Sequence, residues 1–159
     1  MASDIFAKLG DIKGESVDSK HKDEVEVLSW SWGVSNGSSA ATCGGAAGKA
    51  TFNDFNFTHH FDKASPVLMK ACATGEHIKE ATITARKAGK GQQEFLIIKM
   101  NDIIITSVAV SGSGNGGDTS ENVALRFAKV ALEYKPQKPD GSLDAGVLFN
   151  YDIKANKVG

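Results

Sequence analysis

The chain is poor in the features that usually announce a chemistry. It has two cysteines, Cys43 and Cys72, far apart and without C-x-x-C or zinc-ligand spacing, so neither a disulfide framework nor a structural zinc site is expected. Only three of its 159 residues are proline. Its longest apolar runs, Phe95–Ile98 and Ile103–Ile105, are far too short to cross a bilayer as a helix. There is no excess of charge either. Eighteen Lys and Arg face 19 Asp and Glu, a net charge of −1, with the signs interspersed. A protein that holds nucleic acid by neutralising phosphates needs a clustered cationic surplus, so nucleic-acid binding is excluded. Met1–Lys8 has neither a basic start nor an apolar core, so no signal peptide is expected and the chain should begin life in the cytoplasm.

What is present is a core and an uneven glycine supply. Leu, Ile, Val and Phe make up 37 of 159 residues, enough for a folded interior. Of 17 glycines, five fall between Gly33 and Gly48 and four between Gly112 and Gly117, which marks two sharply turned or extended connections.

Period-two alternation and short apolar runs predict eight strands, near Asp4–Leu9, Glu24–Ser35, Ala50–Phe61, Ile78–Lys87, Gln93–Met100, Ile103–Ser111, Asn122–Tyr134 and Val147–Ile153. Strands at this spacing imply a sandwich or barrel. One segment differs. Ser65 as N-cap, Pro66 at the first helical position, an apolar stripe of Val67, Leu68, Ala71 and Cys72, and Gly75 as the stop predict a helix over about residues 66–74. No linker or repeat divides the chain, so residues 1–159 read as one domain.

Signatures of catalysis are weak. There is no G-x-S-x-G, H-E-x-x-H or G-x-x-x-x-G-K-[ST], and no cofactor fingerprint. His59 and His60 are adjacent, so on a strand they point to opposite faces and do not ligate one ion. The expectation is one histidine packed against Phe55 and Phe57 and the other outward. In Leu28-Ser-Trp-Ser-Trp32, alternation puts Leu28, Trp30 and Trp32 on one face and Ser29 and Ser31 on the other. The indoles read as core; the small hydroxyl face reads as a surface that something else approaches closely or passes along.

Several collinear segments then carry a family. Gly10-Asp-Ile-Lys-Gly-Glu-Ser16, Val27-Leu-Ser-Trp-Ser-Trp-Gly33, Phe57-Thr-His-His-Phe-Asp-Lys-Ala-Ser-Pro66, Arg86-Lys-Ala-Gly89, Glu94-Phe-Leu-Ile97, Glu121-Asn-Val123 and Tyr134-Lys-Pro-Gln-Lys-Pro-Asp-Gly141 together resemble the haemolysin-coregulated protein (Hcp) family of type VI secretion. The resemblance spans nearly the whole chain. It implies a mainly β fold: a compact barrel of two antiparallel sheets with one short flanking helix. It also implies a homohexameric ring whose copies stack into the inner tube of an injection machine. Sheath, baseplate and spike components are the implied partners, small effector proteins the cargo, and export from the cytoplasm the fate. Neither a cofactor nor a catalytic site belongs to that picture, and with the chain running only to Gly159 no appended effector domain is expected.

Within it, Ser29, Ser31, Thr82 and Thr84 are the candidate channel-lining residues, since a channel that releases cargo should present small polar groups. Ser35–Lys49, including Cys43, Gly44, Gly45 and Lys49, is the candidate loop between subunits or rings. Two rival readings are a monomeric β-barrel carbohydrate-binding module using Trp30 or Trp32, and a small hydrolase using His59 or His60.

Overall fold

A computed structural model describes residues 3–37, 49–89 and 91–159. Among these the chain forms β1 (Ser3–Leu9), β2 (Val25–Glu26), β3 (Ser29–Ser31), β4 (Val34–Asn36), β5 (Ala50–Phe52) and β6 (Phe55–His60). Then follow α1 (Ala64–Thr74), β7 (His77–Lys87), β8 (Glu94–Ser111), β9 (Ser120–Arg126), β10 (Lys129–Tyr134), β11 (Val147–Asp152) and β12 (Lys157–Val158). All strand pairs are antiparallel, in a ten-stranded sheet and a two-stranded ribbon of β4 and β5. The mainly β fold with one helix is as expected from the sequence. No helix among the described residues is long and apolar enough to cross a membrane.

The large sheet closes on itself at two corners. β8 pairs with β7 and β10 along its first half and with β9 from Ile104 onward. At the other corner, β2 pairs with β1, then Val27 N–H donates to the Ile5 carbonyl at 2.9 Å and Leu28 N–H to the Thr58 carbonyl at 2.7 Å, after which β3 pairs with β6. The circuit β1, β2–β3, β6, β9, β8, β7 leaves few strand edges bare, which is what closure achieves. β10, β11 and β12 continue outward from the first half of β8.

The alternation read from the sequence fills this barrel. Leu9, Val25, Phe55, Phe57, Ile83, Ile98, Met100, Ile103, Ile105, Val123 and Leu125 are all at most 1% exposed. Burying a side chain as large as Phe55 or Phe57 contributes roughly 1.5–3 kcal/mol. Trp30 stacks on Phe55 with centroids 5.6 Å apart, and Trp32 on Phe52 at 6.0 Å. Both indoles thus pack against the core cluster, each lending a ring face to the fold.

Four expectations about boundaries need correction. The stretch Glu24–Ser35 is three short strands, because the chain changes partner from β1 to β6 at Val27–Leu28 and passes into the β4–β5 ribbon after Ser31. The strands expected on either side of Asn101-Asp102 are one, β8: Asp102 takes a left-handed φ of 53° and the ladder with β7 continues on both sides of it. Ala50–Phe61 and Asn122–Tyr134 are each interrupted, at Asn53–Asp54 and Phe127–Ala128.

The helix starts two residues earlier than expected, and Ser65 is not its N-cap. Asp62 Oδ1 accepts the Ala64 N–H at 2.9 Å, while the Ser65 hydroxyl accepts the Asp62 N–H at 3.0 Å. Pro66 sits in the first turn, where a missing N–H costs nothing. The stop is as expected: Gly75 is left-handed at φ 69°, and Glu76 N–H reaches the Ala71 carbonyl at 3.1 Å. Leu68, Ala64 and Ala71 turn inward against the barrel.

Candidate functional site

The second half of the barrel has an outer face unlike the rest of the surface. Residues directly opposite one another in an antiparallel ladder share a face, and the register aligns Ser29, Thr58, Asn122 and Ala109 in one row and Ser31, Asn56, Ala124 and Ser107 in the next. A third, partial row holds His60, Ser120 and Ser111. Asn122 Nδ2 donates to Thr58 Oγ1 at 3.1 Å, tying β9 to β6 across that face. The formal charges come only at its ends: the Asp54–Arg126 pair at 3.1 Å at one, and Asp118, 4.0 Å from His60, at the other. Ser29 and Ser31 are exposed, as the alternation requires, with Trp30 between them pointing inward.

Thr82 and Thr84 do not join this face. They stand on β7, in the other half of the barrel, where Thr82 lies between Lys8 of β1 and Lys99 of β8. Thr84 is only 4% exposed and has almost no surface to offer. The cause is a strap, residues 11–24, laid over the outer face of β1 and β7. His21 stacks on Phe6 with centroids 4.4 Å apart and bridges Glu24 at 2.9 Å and Glu94 at 2.8 Å. Beside it Arg86, 2% exposed, lies over the Phe6 ring and forms a two-pronged pair with Asp18. That guanidinium holds the Asp18 carboxyl down at about 2.

The adjacent histidines separate as expected. His60 is exposed, and His59 is completely buried beside Phe57. The sequence did not indicate the partner of His59: its Nε2 is 2.8 Å from Glu121 Oε1, with Glu121 also fully buried, and its Nδ1 is 3.7 Å from Asp62. Burial alone would lower the imidazole pKa; the Asp62 and Glu121 carboxylates outweigh it and raise the value. A ring with no exposed surface is not positioned to meet a substrate, which removes His59 as a hydrolytic base. Among the described residues, no group of three or more His, Cys, Asp or Glu is arranged to hold a metal.

The expected arm between subunits begins and ends in strands. Ser35 belongs to β4, paired with Thr51 of β5, and is therefore not a loop residue; Lys49 is exposed just before β5. Cys43, Gly44 and Gly45 lie outside the described residues. At the base of the ribbon Phe52 meets Trp32, Phe127 at 6.3 Å, Phe149 at 6.4 Å and Tyr151 at 4.8 Å. Five aromatic rings from four separate parts of the chain thus fix where the ribbon leaves the barrel.

A closed antiparallel barrel with a capped end, an uncharged small-residue face and a rigidly anchored ribbon defines a protein organised around its surfaces. The chain belongs to the Hcp family: the family model described as "Type VI secretion system effector, Hcp" matches residues 6–134. The curated Protein hcp1 of Pseudomonas aeruginosa is 46% identical over 159 residues, covering 98% of each chain. Among solved structures, Hcp1 from Salmonella typhimurium is 40% identical with a TM-score of 0.83, covering 99% of both chains. A structure described as a type six secretion system protein is 28% identical with a TM-score of 0.93, covering 99% of this chain and all of that one. This is a family of secreted type VI structural proteins and not a known enzyme family.

Proposed function

We propose that this chain is the building block of a type VI inner tube. Six copies close into a ring, rings stack, and the stack is assembled in the cytoplasm and exported, carrying small effector proteins in its channel. Residues 1–159 act as one tube-forming unit, with sheath, baseplate and spike components as further partners.

The observation that carries this reading is the uncharged face built by Ser29, Ser31, Asn56, Thr58, Asn122 and Ser107. A channel wall must contact a protein cargo without retaining it. Short hydroxyl and amide side chains supply no large apolar patch and no strong field. Thr82 is the weaker wall candidate, between two lysines, and Thr84 is dropped because it is buried. A net charge of −1 lets copies approach without long-range repulsion.

Electron microscopy and native mass spectrometry of the purified chain test the proposal. Six-fold rings with six times the 16.8 kDa mass are expected. A monomer at every concentration overturns it.

A further inference from the structure

The connection from β8 to β9 runs through Gly112-Ser-Gly-Asn-Gly-Gly-Asp-Thr119 and is closed at its base by the Ser111–Ser120 pair. Within it Asn115 is exposed, and its backbone N–H donates to Ser113 Oγ at 3.3 Å. Its carboxamide makes no hydrogen bond among the described residues. Gly116 follows with a φ of 83°, and a Cβ built on it would meet nothing within 4 Å.

That combination has a chemistry. An asparagine carboxamide lies one peptide unit from the next backbone nitrogen, and a glycine there, having no Cβ, leaves the approach to that nitrogen open. The chain has eight asparagines, and glycine follows two of them, Asn36 and Asn115. The structure separates the two. Asn36 is the last residue of β4, opposite Ala50, and the ladder holds its backbone in an extended geometry that closing a ring onto Gly37 has to undo. Asn115 stands in a turn, outside any ladder among the described residues.

We propose that Asn115 is a site of spontaneous deamidation through a cyclic imide closed onto Gly116. The Gly116 nitrogen gives its proton to a base in solvent and attacks Asn115 Cγ. The new N–Cγ bond forms, the bond from Cγ to the side-chain nitrogen breaks, and that nitrogen leaves as ammonia after taking a proton from water. Water then adds to one of the two imide carbonyls. Opening at one gives aspartate. Opening at the other gives isoaspartate, whose main chain runs through the former side chain and is one methylene longer. Water is the only co-reactant.

Either product puts a new carboxylate into the turn that holds Asp118, 4.0 Å from His60. That turn borders the row of His60, Ser120 and Ser111, so this end of the uncharged face gains a charge. On a chain whose formal net charge is only −1, each event is a large relative change in the field between copies.

The test incubates the purified, folded chain in warm, mildly alkaline buffer. Each asparagine is followed by tandem mass spectrometry of its peptide, with aspartate and isoaspartate forms separated. Asn115 is expected to convert at least about tenfold faster than Asn36 in the folded chain, and at a rate similar to Asn36 in denaturant, where the β4 ladder is gone. Gly116→Ala is expected to slow conversion at Asn115 at least about tenfold. The wild-type product is expected to contain isoaspartate. Equal rates at Asn36 and Asn115 in the folded chain, or a product without isoaspartate, overturn the proposal. An unchanged rate in Gly116→Ala does the same. If that variant unfolds, the isoaspartate content and the two rates in the wild type decide alone.

Discussion

His59 and Glu121 face each other directly across β6 and β9, 2.8 Å apart from Nε2 to Oε1, and neither side chain reaches solvent. Asp62, which accepts the first helical N–H of α1, lies on the other side of the same imidazole. The pair therefore links the middle of the barrel to the seat of its only helix among the described residues. Removing one partner strands a buried charge, whereas replacing both with apolar side chains does not. His59→Leu is expected to cost ~3–5 kcal/mol in denaturant unfolding, and His59→Leu with Glu121→Leu to recover most of that loss.

The same histidine sets an upper limit in pH. Its folded pKa is raised, so its contribution to stability is complete below the unfolded value and is lost as pH rises through the folded one. Melting temperature is expected to fall in the wild type as pH rises above the ordinary imidazole range and to stay flat there in the double leucine variant.

Asp18 sets an acid limit of opposite sign. Its carboxyl is held at about 2 by Arg86, against an ordinary 3.8. The strap's stabilisation is thus present above about 4 and lost as pH falls toward 2. Asp18→Asn should remove that part of the acid transition, seen as a smaller drop in melting temperature between pH 5 and 2.

Gly14 is fixed by space. A Cβ there would lie 2.5 Å from the Glu24 carbonyl oxygen and 2.8 Å from the Val25 Cα, backbone atoms pinned by hydrogen bonds across the strap. Gly14→Ala is expected to cost ~1–3 kcal/mol by overpacking. Gly114→Ala, with nothing within 4 Å, is the control that leaves the melting curve unchanged.

Ser31 tests the wall. It is exposed and makes no core contact, so Ser31→Arg should change stability by less than about 0.5 kcal/mol and leave rings intact. Co-purification of a small effector with the rings should fall. Loss of the rings themselves would make Ser31 a packing residue.

Much of this was legible in the sequence because it is local. Alternation alone turned Trp30 inward and Ser29 and Ser31 outward, and sent one of His59 and His60 to each face. Gly75 ended the helix where its left-handed conformation was needed. What could not be read depends on distant partners. Asn101-Asp102 looks like a turn, yet β7 pairs on both sides of it and keeps it within one 18-residue strand. Thr84 follows the same alternation as Thr82 and is buried only because the strap, pinned by Asp18 to Arg86, covers it. Glu121 is 62 residues from His59, and no local pattern announces that pairing.

The most direct test of the account is an electron cryomicroscopy map of the assembled rings, resolved well enough to follow strands. The account predicts that β3, β6, β9 and the second half of β8 line the central channel, with Ser29, Ser31, Thr58 and Asn122 on its surface. A map with that face turned outward, or closed inside a contact between copies, would contradict it.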